Sequence, residues 1–421
     1  MTALCMAICW MLAAAPDPGT GLQALTVDAG KLSPGFSTAR TAYVVHVGHS
    51  VESLHPTATP EDPAATVTVT GGTALEVGRN IVTIDVAAPN GKSTYTLKIF
   101  RDHPTPNWVK VTGTTPFPAR DSAGELVFNG RMWILGGFIP KVISDVWSSQ
   151  DGKNWTAEGQ IPSEAGVNIP VNIVHDGKMW VTCNDGTLYS SADGKDWTQV
   201  TALPPWGKRY APGSAEFAGK MWILGGKSGG TLYNDVWSST NGIDWTCETE
   251  TAPWSRRQLF GQVQAFNDKL WVLGGGVTIY HPFKAYNDVW SSPDGREWTR
   301  VLDEAPWPGR IWSTSAVYRD RLWLLGGFQA EPVWQNFNDV WYSPDGKQWH
   351  RFETETTWSA RHELSALVYD GKLWVIAGNE WPLLNDVWYL DIPGLSFVTQ
   401  PVLEEFLNAE YTYRARADFG S

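Results

Sequence analysis

A chain of 421 residues has room for two or three domains whose cores need no covalent staples. A net charge of −12, with no lysine- or arginine-rich tract to offset it, argues against nucleic acid as a partner. Four cysteines are too few for a disulfide framework: Cys5 and Cys9 lie near the start, and Cys183 and Cys247 stand at sequence positions that do not suit a bond, so both are read as free.

Residues 3–15 are an apolar run of thirteen, followed by Pro16-Asp17-Pro18. The run suits the hydrophobic part of a secretory signal and is too short to span a bilayer. Residues 1–18 are therefore expected to be a signal peptide, although no lysine or arginine stands near the start. Neither Cys5 nor Cys9 follows the small residue that a lipobox requires, so no lipid anchor is expected. The mature chain is expected to be secreted or at the cell surface, with no transmembrane segment.

Residues 19–103 shift toward Thr, Val and Ala. Alternating strands are expected at Leu22–Val27, Ala42–Val47, Thr66–Thr70, Ile81–Ala87 and Thr94–Phe100, with turns at Gly71-Gly72 and Asn90-Gly91. Short strands at this spacing describe a small β-sandwich. Asp28, Glu52, Glu61, Asp62 and Asp85 are scattered, so no calcium site is expected, and no other metal or cofactor either. Asp102-His-Pro-Thr-Pro106 is a stiff two-proline linker.

Residues 104–398 repeat one phrase at a period of about 42 to 52 residues, which points to a propeller or solenoid. The phrase is an aromatic-aliphatic run ending in Gly-Gly, then Asp-Val-Trp-Ser-Ser, then Asp-Gly-x-x-Trp-Thr. Its first part stands at Trp133–Gly137, Trp180–Asn184, Trp222–Gly226, Trp271–Gly275, Trp323–Gly327 and Trp374–Gly378. Each repeat resolves into four short strands, and radial packing is the way to bury six such units. The closing Trp-Thr strand occurs at Trp155, Trp197, Trp245, Trp298 and Trp349, one short of six. The missing copy lies upstream at Trp108, so this strand is expected to pair into the last unit and close the ring. Residues 399–421 form a tail whose Glu410–Asp418 alternates; it either opens a truncated immunoglobulin-like domain or lies on the propeller as a strand or helix.

The repeats resemble the kelch family, in particular bacterial galactose-oxidase-like propellers, which implies an all-β, six-bladed kelch-type ring. The Ser-x-Asp-Gly-x-x-Trp hairpins, such as Ser149–Trp155, also look like the Asp-box of sialidases with one residue fewer, a scaffold turn in either family. The wording of Leu25–Gly30, Leu32–Phe36, Tyr43–Val47 and Tyr95–Ile99 resembles the bacterial cadherin-like β-sandwich, usually a spacer or adhesion module.

Binding is expected on the face that carries the long loops. The loops between repeats place an aromatic residue and then an arginine ahead of each innermost strand: Phe117/Arg120, Trp206/Arg209, Trp254/Arg257, Trp307/Arg310 and Trp358/Arg361. Four of these arginines lie thirteen residues before the repeat tryptophan (120 to 133, 209 to 222, 310 to 323, 361 to 374), so they are ring-equivalent. Either they gather at the mouth as an anion trap, or each is tied to Asp145, Asp235, Asp288, Asp339 or Asp386. Phe138, Tyr280, His281, Phe283, Tyr286, Phe328, Trp334, Phe337 and Trp381 are aromatic candidates for stacking on a sugar face or seating a protein, or else they pack the loops together. The second repeat departs from the pattern, with Val167 where an arginine is due and Leu188-Tyr-Ser read in place of Asp-Val-Trp, so a groove is expected beside it.

Copper radical chemistry, implied by the galactose-oxidase resemblance, needs histidines and a tyrosine-linked cysteine that the repeats do not place together. A sialidase-like or mutarotase-like activity on an acidic sugar would use the arginines with an acid. Glu363 beside His362 is the first candidate, then Glu125, Glu216 and Asp121, with Tyr210 as the phenol. The leading expectation is a monomeric recognition protein binding an extracellular carbohydrate or surface protein, with that enzyme and a structural adhesion module as alternatives.

Overall fold

A computed structural model of the chain describes Pro16 and residues 19–101 and 106–392. The expected signal peptide except Pro16, most of the linker and the C-terminal tail lie outside the described residues. These residues hold strands and turns and no helix, hence no helix long and apolar enough to cross a membrane. They divide into two compact units.

The N-terminal unit pairs a two-stranded sheet, Leu22–Val27 with Pro56–Pro60, against a five-stranded one. The larger sheet runs Leu32–Ser33, Ala42–Val47, Gly91–Arg101, Gly78–Ala88, Thr66–Thr70, with Ala42–Val47 parallel to Gly91–Arg101. Alternation puts Val82, Ile84 and Val86 inside with Tyr95, Leu97 and Ile99. The Tyr95 hydroxyl, accepting a hydrogen bond from Leu22 N at 2.9 Å, ties one sheet to the other. Pro56–Pro60 gives no strand signal in the sequence because a proline stands at each end, a place where the missing N–H is tolerated.

The second unit contains six four-stranded antiparallel sheets. Their inner strands, Gly124–Phe128, Asn172–His175, Gly213–Phe217, Val263–Phe266, Thr314–Tyr318 and Ser365–Tyr369, neighbour one another in a closed circle, the last against the first. The sixth sheet takes its outer strand from the other end of the chain: Trp108–Thr112 pairs with Leu384–Leu390, Trp108 opposite Leu390. Closure in this way leaves no open seam.

Neighbouring sheets interlock through the hairpin glycines. A Cβ on Gly194, at φ +78°, would stand 2.1 Å from the Trp133 ring of the preceding sheet, so only glycine lets that ring lie flat on the turn. Ser191 Oγ holds the turn by accepting from Gly194 N at 2.8 Å. The sixth sheet has no such hairpin to cover Trp323, and Phe352 meets that ring edge-on at 5.4 Å instead.

One register reading needs correction. In the second sheet Leu188 lies opposite Thr182 as Val146 lies opposite Leu135 in the first. Thr187, not Leu188, therefore stands at the aspartate position. That sheet has lost the arginine and its aspartate together.

Candidate functional site

Each inner strand is entered through a tight turn whose geometry repeats. In five of the six turns a non-glycine residue sits in the left-handed region: Ser122, Ile169, Ala211, Trp312 and Glu363, at φ between +48° and +59°. Such conformations are costly for residues with a Cβ and tend to cluster at functional sites. The fourth turn carries one more residue and uses Gly261 at φ +67°. Main-chain bonds run from turn to turn, with Ser122 N donating to Glu363 O at 3.2 Å, Ile169 N to Ser122 O at 2.8 Å, Leu259 N to Ala211 O at 2.8 Å and Glu363 N to Trp312 O at 2.9 Å.

The arginine in each turn does not face a ligand. Arg120, Arg209, Arg257, Arg310 and Arg361 are buried. Each makes a fork to one carboxylate: Arg120 to Asp145 at 2.7 and 2.8 Å, Arg209 to Asp235, Arg257 to Asp288, Arg310 to Asp339 and Arg361 to Asp386. A third bond reaches the first carbonyl of the Gly-Gly pair, as from Arg310 Nη1 to Gly326 O at 2.9 Å. Burial raises the acids Asp339 and Asp386, but the bonds and charge of Arg310 and Arg361 outweigh it and hold both below the usual carboxylate range. The arginine main chain meanwhile binds the preceding sheet, Arg361 O accepting from Gly327 N at 3.0 Å. Each arginine thus pins its turn to its own sheet, Arg120 and Arg257 also reach the preceding sheet as Arg361 does, and of the two alternatives the aspartate pairing forms and the anion trap does not. Val167 keeps only the main-chain half of this role, its carbonyl accepting from Gly137 N at 2.8 Å.

The aromatic residues three positions earlier are equally enclosed. Phe117, Trp206, Trp254, Trp307 and Trp358 are 0 to 3% exposed, so they offer no stacking surface. Each meets an outer-strand tryptophan edge-on: Phe117 on Trp155, Trp206 on Trp245, Trp254 on Trp298, Trp307 on Trp349 and Trp358 on Trp108, at 5.2 to 6.0 Å.

The residue after each arginine, or after Val167, is different. Asp121, Asn168, Tyr210, Gln258, Ile311 and His362 stand there, and this ring of positions, with Glu363, gathers the polar chemistry. Asp121 accepts from Ser122 Oγ at 2.9 Å and from Asn379 Nδ2 at 2.6 Å. Burial pushes Asp121 up. Burial, then the charge of Asp121, pushes Glu363 well above the usual carboxylate range, although Ser122 opposes this. His362 Nε2 lies 3.8 Å from Glu363 Oε2, and its Nδ1 donates to Asn336 Oδ1 at 2.7 Å. Burial holds the imidazole down at about 4, so it is neutral. Burial also raises the Tyr210 phenol, reinforced by the charges of Glu363 and Asp121. Lys227 lies over the Tyr210 ring at 4.9 Å and donates to Thr278 Oγ1, which donates to Gln258 Oε1 at 2.6 Å.

Several buried polar atoms here have no partner: Asn168 Oδ1, Gln258 Nε2, Trp312 Nε1 and Ser313 Oγ. Buried polar atoms are ordinarily satisfied, because leaving one unpaired costs about 1–3 kcal/mol. Further along the turns, Ile169, Ala211 and Phe260 close together with Tyr210 and Trp312 against them.

An aromatic wall leads outward from this mouth. Trp312 stacks on His362 at 5.2 Å, His362 meets Phe328 at 5.4 Å, and Phe328 meets Trp334 at 5.1 Å. Trp334 stacks in turn near His281 and Phe283, and Tyr280, Trp334 and Trp381 are 54%, 63% and 76% exposed. Of the other candidate acids, Glu125 is raised by burial and has an unpartnered Oε2. Glu216 lies toward the far end of its inner strand, 3.8 Å from His175, away from the turns. A depression of about 640 Å³ lies at the edge of the first sheet, between Ile139–Asp145 and Gln160–Glu164, and no strand of the second sheet lines it. Among the described residues no three His, Cys, Asp or Glu side chains gather as metal ligands.

Comparison with known proteins now supplies the family. A DUF6242 beta propeller domain matches residues 102–388. The chain belongs to that family. A cadherin-like beta sandwich domain matches residues 22–102, ahead of the DUF6242 propeller. No curated protein matches the chain.

Proposed function

We propose that this DUF6242 protein is an extracytoplasmic surface or adhesion module whose propeller, read as a six-bladed kelch-type ring, recognises a carbohydrate at the mouth formed by the turns into its inner strands. The cadherin-like domain ahead of the propeller is compatible with such a module. The observation that carries the carbohydrate reading is the set of unpartnered buried donors and acceptors around Asp121 and Glu363, continuous with exposed aromatic rings. Sugars present hydroxyls that both donate and accept beside an apolar face, which is the complement of that surface. The acidic-sugar alternative loses its basis, since its arginines are consumed by aspartates. A glycan array tests the reading: the protein should retain a family of glycans, and the Asp121→Asn/Glu363→Gln variant should lose them. Retention of no glycan would overturn it.

A catalytic second reading rests on Glu363 alone, a carboxyl whose hold on its proton is raised by burial and then by the charge of Asp121, the direction a general acid requires. Its test is turnover of fluorogenic glycosides that disappears in Glu363→Gln.

A further inference from the structure

We infer that the sugar taken at the mouth carries a free, protonated amino group, seated against Asp121 and Glu363. This rests on the carbohydrate reading above and narrows it to one chemical class.

The charges around Glu363 motivate the choice. The titratable groups that face it are Asp121, across the Ser122 hydroxyl, Tyr210, and His362 with Nε2 at 3.8 Å. None of these supplies a cation. Lys227 is directed elsewhere, over the Tyr210 ring and onto Thr278. The strand aspartates Asp145, Asp235, Asp288, Asp339 and Asp386 are each matched by an arginine fork, whereas Asp121 and Glu363 in the turns have no counter-ion, and neither does Glu125 on the first inner strand. A ligand ammonium would supply it, since an opposite charge favours the ionised carboxylates. Any proton that Asp121 or Glu363 holds through its raised affinity would pass to solvent on binding, and no bond in the ligand would be made or broken.

Independent atoms fix the rest of the ligand. Gln258, only 3% exposed, has a donor without a partner in Nε2, while its Oε1 is held by Thr278. Trp312 Nε1 is a second free donor and Asn168 Oδ1 a free acceptor. A simple amine or a lysine side chain would satisfy the acids and leave these three unmatched. A hexosamine unit brings an ammonium and several hydroxyls at sugar spacing. The closed apolar layer at Ile169, Ala211 and Phe260 limits its depth, and the rings from Trp312 to Trp334 give the following sugars a stacking wall.

Titration calorimetry of the full chain with three probes tests this: a glucosamine tetrasaccharide, its N-acetylated counterpart, and a glucose tetrasaccharide of the same linkage. Each is run in two mildly acidic buffers of different ionisation enthalpy. The glucosamine probe should bind about tenfold or more tighter than either of the others. Its apparent enthalpy alone should change with buffer, reporting proton release. Glu363→Gln should remove both the preference and the buffer dependence while leaving weak binding of the acetylated probe. Trp334→Ala should weaken all three alike. Equal affinity for the acetylated and free amines, without buffer dependence, would overturn the amine assignment and leave the carbohydrate reading standing. Binding of none of the three, joined to a silent glycan array, would overturn both.

Discussion

In five of the six turns that enter an inner strand, the chain reads arginine and then a residue that differs each time: Asp121, Tyr210, Gln258, Ile311 and His362. The first position is buried, charge-paired and identical; the second is varied, and at Gln258 it carries a buried donor left without a partner. The two differ because they answer different demands. A repeating sheet needs the same joint each time, and the fork from arginine to aspartate and Gly-Gly carbonyl, made within one sheet, is that joint in five of the six. A ligand is asymmetric, so the residues that meet it cannot repeat. The second sheet supports the division, since Val167 and Thr187 replace the joint as a pair while Asn168 still contributes to the mouth.

The scaffold side of the comparison breaks most readily. Arg310→Met would leave Asp339 buried and unpaired, at a cost of about 3–5 kcal/mol in urea unfolding. Arg310→Met/Asp339→Leu should recover much of that, because neither charge then remains. If the single variant loses under about 1 kcal/mol, the joint is not structural.

Trp108→Ala should cost about 3–5 kcal/mol by deleting a buried ring from the closing strand. Its partner Trp358 would lose an edge-on neighbour at 6.0 Å.

The mouth should respond to pH in the opposite sense to the joints. Asp121 and Glu363 have raised values in the folded state, so the stability they contribute is present below the ordinary carboxylate range and lost as pH rises through the raised values. Glu363→Gln should flatten that decline and leave the protein at least as stable near neutrality. A variant less stable than the parent at neutral pH would show Glu363 to be scaffold. His362, held down at about 4, acts the other way, its share being lost as pH falls toward that value.

Smallest is the outer wall. Trp334 and Trp381 are exposed, so alanine at either should change stability by no more than about 0.5 kcal/mol while weakening glycan capture.

Much of the propeller was legible because repetition is a signal in itself. Gly-Gly, Asp-Val-Trp and the hairpin glycines recur because each interface repeats, and counting Trp155-type strands assigns Trp108 to the sheet where it pairs. In the sandwich, Leu22–Val27, Ala42–Val47 and Thr66–Thr70 follow from alternation, whereas Pro56–Pro60 does not. The site was harder to see for the same reason. Repetition drew the eye to Arg120 and its equivalents, whose burial depends on partners 25 to 31 residues away. Asp121, Tyr210, His362 and Glu363 were candidates by chemistry, but Asn168, Gln258, Trp312, Asn336 and Asn379 were not. The available signal was the lack of repetition immediately after a repeating arginine.

One experiment tests the division between joint and mouth most directly: the shift in melting temperature on adding a glucosamine tetrasaccharide, measured in parallel on the parent, Arg310→Met and Glu363→Gln. The account predicts that Arg310→Met melts lower but keeps the ligand-induced rise, whereas Glu363→Gln melts no lower and loses it. A ligand response abolished by Arg310→Met and intact in Glu363→Gln would contradict it.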